Sequence, residues 1–223
     1  MPRLTTVVFD VSGVLLNDLY TVWKADSEAY ESCGMGKIES VERFKENFRL
    51  PIIEYHKSMG AAEAVIPKLE ATYRRAYLKY SDHIKIFPEV KNVLEKLRRE
   101  NICLAIASNI PSDFLREHLE TFGLRRFFEV VTGQDDCEEQ KPSPQPILAT
   151  LKKIDAKPEH SAYVGDMEED ILAGKNAGVC TIGICRKEGY HPCWKLKKQN
   201  PDFLIHDLNK LLTIVRSVNR SAD

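Results

Sequence analysis

The chain has 223 residues, with 32 Lys and Arg against 33 Asp and Glu, a formal net charge of −1 at pH 7 and 43% hydrophobic residues. That length suffices for one large core, or for a core with a small second domain. A near-neutral balance supplies no field to attract nucleic acid, and no apolar stretch approaches the ~20 residues of a membrane span, so neither is an expected partner.

Met1-Pro2-Arg3 leads directly into the first apolar run and leaves no room for a signal peptide, so a cytoplasmic protein is expected. That run, Val7-Val8-Phe9-Asp10, ends in a carboxylate, and Gly13 in Val11-Ser12-Gly13-Val14-Leu15 permits a tight turn after it. A buried strand ending in an acid and a turn places the carboxylate at the edge where open α/β sheets build their sites. An ordinary strand-ending Asp would look the same in isolation.

The pattern then turns helical until about residue 80. Leu19, Val22, Trp23, Asp26, Ala29 and Tyr30 recur at spacings of three and four, and Phe44 and Phe48 repeat that spacing. Pro67 can start a further helix, with Leu69, Tyr73, Ala76, Tyr77 and Tyr80 on one stripe. No strand pattern interrupts the region. It could simply pack on the sheet, but its insertion directly after the first strand and turn favours a helical cap domain over 17–83, with a core of 1–16 and 84–223.

From Ile86 onward strands and helices alternate. Pro88 starts a helix carrying Val90, Val93, Leu94 and Leu97, followed by a strand at 102–108 that ends in Ser108-Asn109. Ser112 or Asp113 is expected to cap a helix that Gly123 stops. Glu129-Val130-Val131 reads as a short strand. Lys141-Pro142-Ser143-Pro144 precedes a helix at 144–154. Strands at 161–165 and 179–184 flank a helix at 168–177, with Gly165, Asp166 and Asp170 at its start. A last strand at 202–205 and a helix from Leu208 to Val218 close the chain. This alternation predicts an α/β fold with a Rossmann-like, doubly wound parallel sheet and an inserted helical cap.

Asp10, Ser108, Lys141 and the pair Asp166/Asp170, in this order, resemble the four motifs of the haloacid dehalogenase superfamily. The resemblance runs from Leu4 to about Val215, and its most specific piece is Gly165-Asp166-x-x-x-Asp170 with Ala173-Gly174 and Asn176-Ala177-Gly178. The helical cap and its position look most like the phosphoglycolate phosphatase and β-phosphoglucomutase branch. The resemblance implies a phosphatase acting on a small phosphorylated substrate through an aspartyl-phosphate, as a monomer or homodimer. Asp10 would be the nucleophile. Mg²⁺ would bind Asp10, the backbone carbonyl of Ser12 and Asp166, with Asp170 one helical turn on. Ser108 would donate to a phosphoryl oxygen, with help from the Asn109 N–H. Lys141 would balance charge, and the N–H groups of Gly13 and Val14 would face the anion. Read without the resemblance, Asp166 and Asp170 favour a helix N-terminus, but capping accounts for one acid rather than two beside a third.

The sequence departs from the family at Ser12, where most of its phosphatases carry a second Asp as general acid and base. A serine hydroxyl is a poor acid near neutral pH, and such a group is worth roughly 10²–10⁴ in rate. Three readings follow. A phosphatase would use water, a good leaving group or a cap residue such as His56. A phosphonoacetaldehyde hydrolase-like enzyme would need a cap lysine, for which Lys24, Lys45 and Lys57 are candidates; a dehalogenase would need no acid, but no metal pair either. A weakly active chain would bind a phosphorylated ligand or a protein, against which the retained motif residues argue.

The six cysteines, Cys33, Cys103, Cys137, Cys180, Cys185 and Cys193, contain no CxxC pair. Cys185, His191 and Cys193 match no usual zinc spacing, so reduced thiols are expected. Lys195-Leu196-Lys197-Lys198 reads as a solvated helix face.

Overall fold

The computed structural model describes residues 2–222. In chain order the elements are β1 (Thr6–Phe9), β2 (Leu16–Asn17), α1 (Leu19–Ser32), α2 (Val41–Asn47), α3 (Ile52–Ser58), α4 (Ile66–Tyr80), β3 (Lys85–Ile86), α5 (Val90–Arg99), β4 (Cys103–Ala107), α6 (Ser112–Thr121), β5 (Val130–Thr132), α7 (Gln145–Lys153), β6 (Ser161–Gly165), α8 (Glu168–Ala177), β7 (Cys180–Ile184), α9 (Cys193–Lys198), β8 (Phe203–Ile205) and α10 (Asn209–Ala222). Six strands form one sheet in the order β5-β4-β1-β6-β7-β8, and every pairing within it is parallel. The doubly wound α/β expectation therefore holds.

Alternation along the strands explains the two-sided burial. Val7, Phe9, Leu104, Ile106, Ala162 and Val164 face α5 and α10 in one apolar cluster, while Val8, Ala105, Ala107 and Tyr163 face α7 and α8 in another. Strands buried on both faces read as continuous apolar runs, which is why β1, β4, β6 and β7 were legible. The chain leaves β1 for β4 and β5, then returns on the other side of β1 to build β6, β7 and β8. The switch point of the topology thus lies beside β1, and ligand crevices open there, at the carboxyl ends of the strands.

Between β2 and β3 the chain is helical, with α1 packed along α4. Leu16 and Asn17 pair with Ile86 and Lys85 in a two-stranded antiparallel ribbon at the two points where the chain enters and leaves these helices. Two residues are too few to show a period, so sequence pattern missed the ribbon. Ser112 is the first residue of α6, not its cap; at that helix start Asp135 accepts from the Ser112 N–H at 2.8 Å and Asp113 Oδ1 accepts from the Phe114 N–H at 2.9 Å. Among the described residues, no helix is long and apolar enough to cross a membrane.

The expectation of reduced thiols fails at one place. Cys185 and Cys193 form a disulfide with Cα atoms 5.2 Å apart. The loop between β7 and α9 doubles back and brings the two within bridging distance, whereas Cys33, Cys103, Cys137 and Cys180 are free. His191 turns away from the pair: Nε2 donates to the Phe48 carbonyl at 2.9 Å and Nδ1 accepts from the Glu168 N–H at 3.1 Å. Lys197 and Lys198 are exposed on α9, as expected of a solvated face.

Candidate active site

Three strand ends carry the site. Asp10 follows β1, Ser108 follows β4 and Asp166 follows β6, so register alone brings them to one edge. Lys141 reaches the same point from the loop before α7. All four are buried, as is Asp170 on the first turn of α8. Carboxylate oxygens of Asp10, Asp166 and Asp170 lie within 4.8 Å of one another.

Lys141 is the positive centre of the cluster. Its Nζ stands 3.1 Å from Asp10 Oδ1 and 2.7 Å from Asp170 Oδ1, and donates to the Tyr163 hydroxyl at 2.9 Å. Burial pulls the amine down, but Asp10 and Asp170 outweigh it and hold the pKa well above its ordinary value. The lysine therefore stays charged. Asn109 clasps its backbone from both sides: Oδ1 accepts from the Lys141 N–H at 3.2 Å, and Nδ2 donates to the Lys141 carbonyl at 3.3 Å. This side-chain role differs from the backbone donor expected of Asn109.

The acids are not equivalent. Asp170 Oδ2 accepts from the N–H groups of Asp166 and Met167 at 3.0 and 2.9 Å, while Oδ1 faces Lys141. It caps α8 and anchors the lysine together, leaving neither oxygen without a partner. Asp166 Oδ2 accepts from the Tyr190 N–H at 2.6 Å, but Asp166 Oδ1 is buried with no hydrogen-bond partner. Burial, then Asp170 and Asp10, push the Asp166 carboxyl well above the usual carboxylate range. Asp10 is raised too, by burial first and by Asp170, against the pull of Lys141, Ser108 and the Val11 N–H. An orphaned carboxylate oxygen among crowded acids is what a hard divalent cation relieves, so Asp10 and Asp166 fit Mg²⁺.

Two expected anion donors are occupied. The Gly13 N–H donates to the Leu16 carbonyl at 2.8 Å and the Val14 N–H to the Val11 carbonyl at 3.3 Å, because a turn this tight must close its own hydrogen bonds. Gly13 matters instead for space and conformation. Its φ is +69°, and a Cβ there would lie 2.1 Å from Asp166 Oδ2. Gly13→Ala must displace a carboxylate already held by Tyr190. Its kcat/KM on an aryl phosphate is expected to fall about 10²-fold, the cost of roughly 1 Å of misplacement; full activity would show that the Asp166 position is not critical.

Sequence reasoning missed Asp18, Tyr163 and Tyr190. The Ser12 hydroxyl donates to Asp18 Oδ2 at 2.5 Å, and the Tyr190 hydroxyl donates to Asp18 Oδ1 at 3.1 Å. Burial raises the Asp18 carboxyl to about 6. Tyr163 donates to the Ala107 carbonyl at 2.7 Å beneath Lys141. The available signal was a tyrosine inside an otherwise apolar strand, since a buried phenol seeks a partner. His56 lines the cavity above the acids, but its Nδ1 lies 2.9 Å from the Tyr30 hydroxyl and burial lowers its pKa to about 4. It is neutral near pH 7 and holds no proton in readiness for a leaving group.

The three candidate lysines of the helical insert have other partners. Lys24 lies over the Trp23 ring at 4.4 Å, Lys45 donates to the Lys187 carbonyl at 2.9 Å and Lys57 pairs with Glu54 at 4.0 Å. Among the described residues none of these three lines the cavity, although Lys45 lies within the electrostatic reach of Asp166.

Comparison with known proteins agrees with this geometry. Residues 7–184 match the family described as haloacid dehalogenase-like hydrolase. The pyrophosphatase PpaX of Oceanobacillus iheyensis is 30% identical over 95% of this chain and 97% of its own. A phosphoglycolate phosphatase of Vibrio parahaemolyticus is 30% identical over 94% and 95%. The crystal structure of a hydrolase from Pseudomonas syringae superposes with a TM-score of 0.84 at 22% identity, covering 96% of this chain and 99% of that one. With four motif positions converging on one buried edge, this chain belongs to the haloacid dehalogenase-like hydrolases and is an enzyme.

Proposed function

We propose that the chain is an Mg²⁺-dependent phosphatase of small phosphorylated metabolites that works through a phosphoryl group carried on Asp10. The carrying observation is the cluster itself: a charged, buried lysine 3.1 Å from Asp10, beside three acids whose carboxylate oxygens lie within 4.8 Å of one another. The names of the relatives support the same reaction class.

Asp10 is the one of the three acids that ends β1 and borders both Ser108 and the cavity. It would attack phosphorus in line with the departing oxygen. Ser108 would donate its hydroxyl to an equatorial oxygen, and Lys141 would offset the negative charge that gathers there. Asp10, Asp166 and the Ser12 carbonyl would hold Mg²⁺. When bound, the ion neutralises phosphate charge that the acids would otherwise repel. Helices α1 to α4 would act as a cap, excluding water and polymeric substrates from a cavity of about 550 Å³.

Ser12 sets the limit on this chemistry. Its hydroxyl already donates to Asp18, so it hands no proton to a leaving oxygen. Rates across a series of phosphate esters should fall steeply as the leaving-group pKa rises. Ser12→Asp would bring a second carboxylate against Asp18, and two acids at that separation share a proton. The variant should flatten the series and speed alkyl phosphate hydrolysis by about tenfold, within the ~10²–10⁴ open to a well-placed acid. A flat series in the unaltered enzyme would refute the missing-acid argument. No hydrolysis of any aryl phosphate with Mg²⁺ would refute the phosphatase reading itself.

A further inference from the structure

A loop outside the motif residues touches the acids and the helical insert at once. Residues 186–192 run from β7 towards α9, and the Cys185–Cys193 disulfide closes them at the base, with Cα atoms 5.2 Å apart. From this loop the Tyr190 N–H donates to Asp166 Oδ2 at 2.6 Å, and the Tyr190 hydroxyl to Asp18 Oδ1 at 3.1 Å. Gly189 packs so closely against the same carboxylate that a Cβ there would lie 3.0 Å from Asp166 Oδ2. His191 Nε2 donates to the Phe48 carbonyl of the helical insert at 2.9 Å.

Among the described residues, the Tyr190 N–H is the sole hydrogen-bond partner of the Asp166 carboxylate, whose Oδ1 has none. Losing a partner that orients a metal-binding group typically costs 10–100-fold in metal affinity or activity. A backbone N–H is only as fixed as the chain that carries it, and loops open more readily than the elements they join. A bridge between the loop's ends restricts the conformations open to it. Cys193 is half-buried and Cys185 buried, so the thiolate of a dithiol reaches Cys193 Sγ first. That attack breaks the bond between the two sulfurs, and Cys185 leaves as a thiolate and takes up a proton. The second thiolate of the dithiol then displaces Cys193 in the same way. Two electrons and two protons pass from the dithiol to the protein, and the dithiol departs as a cyclic disulfide.

We propose that Tyr190 is a positioning residue for Asp166 and that the Cys185–Cys193 bridge fixes it there, so that reduction of the bridge by a dithiol weakens Mg²⁺ binding and, with it, turnover. This rests on the Mg²⁺-dependent phosphatase reading. The contact that matters is the backbone N–H, not the phenol. Tyr190→Phe keeps that N–H and should shift Mg²⁺ affinity by less than the ~10-fold expected of the opened loop; an equal or larger shift would contradict the assignment to the backbone.

The test compares the protein before and after dithiothreitol. Alkylation under denaturing conditions should count four thiols per chain before reduction and six after, because the other four cysteines are free. The Mg²⁺ Kd, read without substrate from the concentration dependence of the Tm shift, should rise about 10-fold on reduction. At Mg²⁺ well below the bridged protein's Kd, kcat/KM on an aryl phosphate should fall by a similar factor, and saturating Mg²⁺ should recover it. Cys193→Ser should match the reduced protein in both readouts and ignore dithiothreitol; if that variant does not fold, reduction of the unaltered chain decides alone. Six thiols before reduction, an unchanged Mg²⁺ Kd after it, or a folded Cys193→Ser with the Kd of the bridged protein overturns the inference and leaves the phosphatase reading standing. Failure of the bridged protein to hydrolyse the aryl phosphate with Mg²⁺ overturns both.

Discussion

Asp10→Asn is expected to abolish turnover, by at least ~10⁴-fold, as removal of a covalent nucleophile does, while the protein still folds. The fold should tolerate the change because Asp10 is buried and its carboxylate is disfavoured by burial and by Asp170. An amide of the same size relieves that strain, and Lys141 keeps Asp170 at 2.7 Å and Tyr163 at 2.9 Å as partners. Rapid quenching should trap a phosphoprotein in the unaltered enzyme that hydroxylamine discharges, since an acyl phosphate reacts with that nucleophile. The Asn variant should form none. Substantial turnover by Asp10→Asn would rule out the covalent route, and a phosphoprotein in the variant would place the nucleophile elsewhere.

The second large effect concerns Asp166. Its Oδ1 has no partner in the protein, and its carboxyl is raised by burial, Asp170 and Asp10. Asp166→Ala should therefore cost activity about 10²–10⁴-fold, the scale of several kcal/mol of charge stabilisation from a metal, with little loss of stability when no metal is present. A readout independent of turnover separates metal binding from general damage. Mg²⁺ at about 100 times its Kd stabilises a protein by ~2.7 kcal/mol, or roughly 5–10 °C in Tm for a chain of this size. The unaltered protein should show that shift, and Asp166→Ala should lose most of it. EDTA should silence the enzyme. Full activity in EDTA, or an equal Mg²⁺ shift in Asp166→Ala, would sink the metal assignment.

The sheet and the placing of the motif residues are legible along the chain without any long-range contact. Strands buried on both faces must be apolar throughout, so β1, β4, β6 and β7 announce themselves, and a polar residue at the end of each is necessarily at the sheet edge. Asp10, Ser108 and Asp166 needed no more than that. Helical periodicity likewise marked α1, α4 and α5, because one face of each must be buried. How those residues are held depends on contacts between distant parts of the chain. Tyr190 reaches Asp166 across 24 positions and Asp18 across 172, and Asn109 meets Lys141 across 32. No local period encodes contacts of that range. The turn after β1 used the Gly13 and Val14 amides internally, since a closed turn satisfies its own donors before any ligand's. The bridge between Cys185 and Cys193 depended on a loop doubling back, which spacing along the chain does not specify. The cavity wall, too, exists only where α1, α3, α4 and α6 meet, because it is made of side chains that folding alone brings face to face.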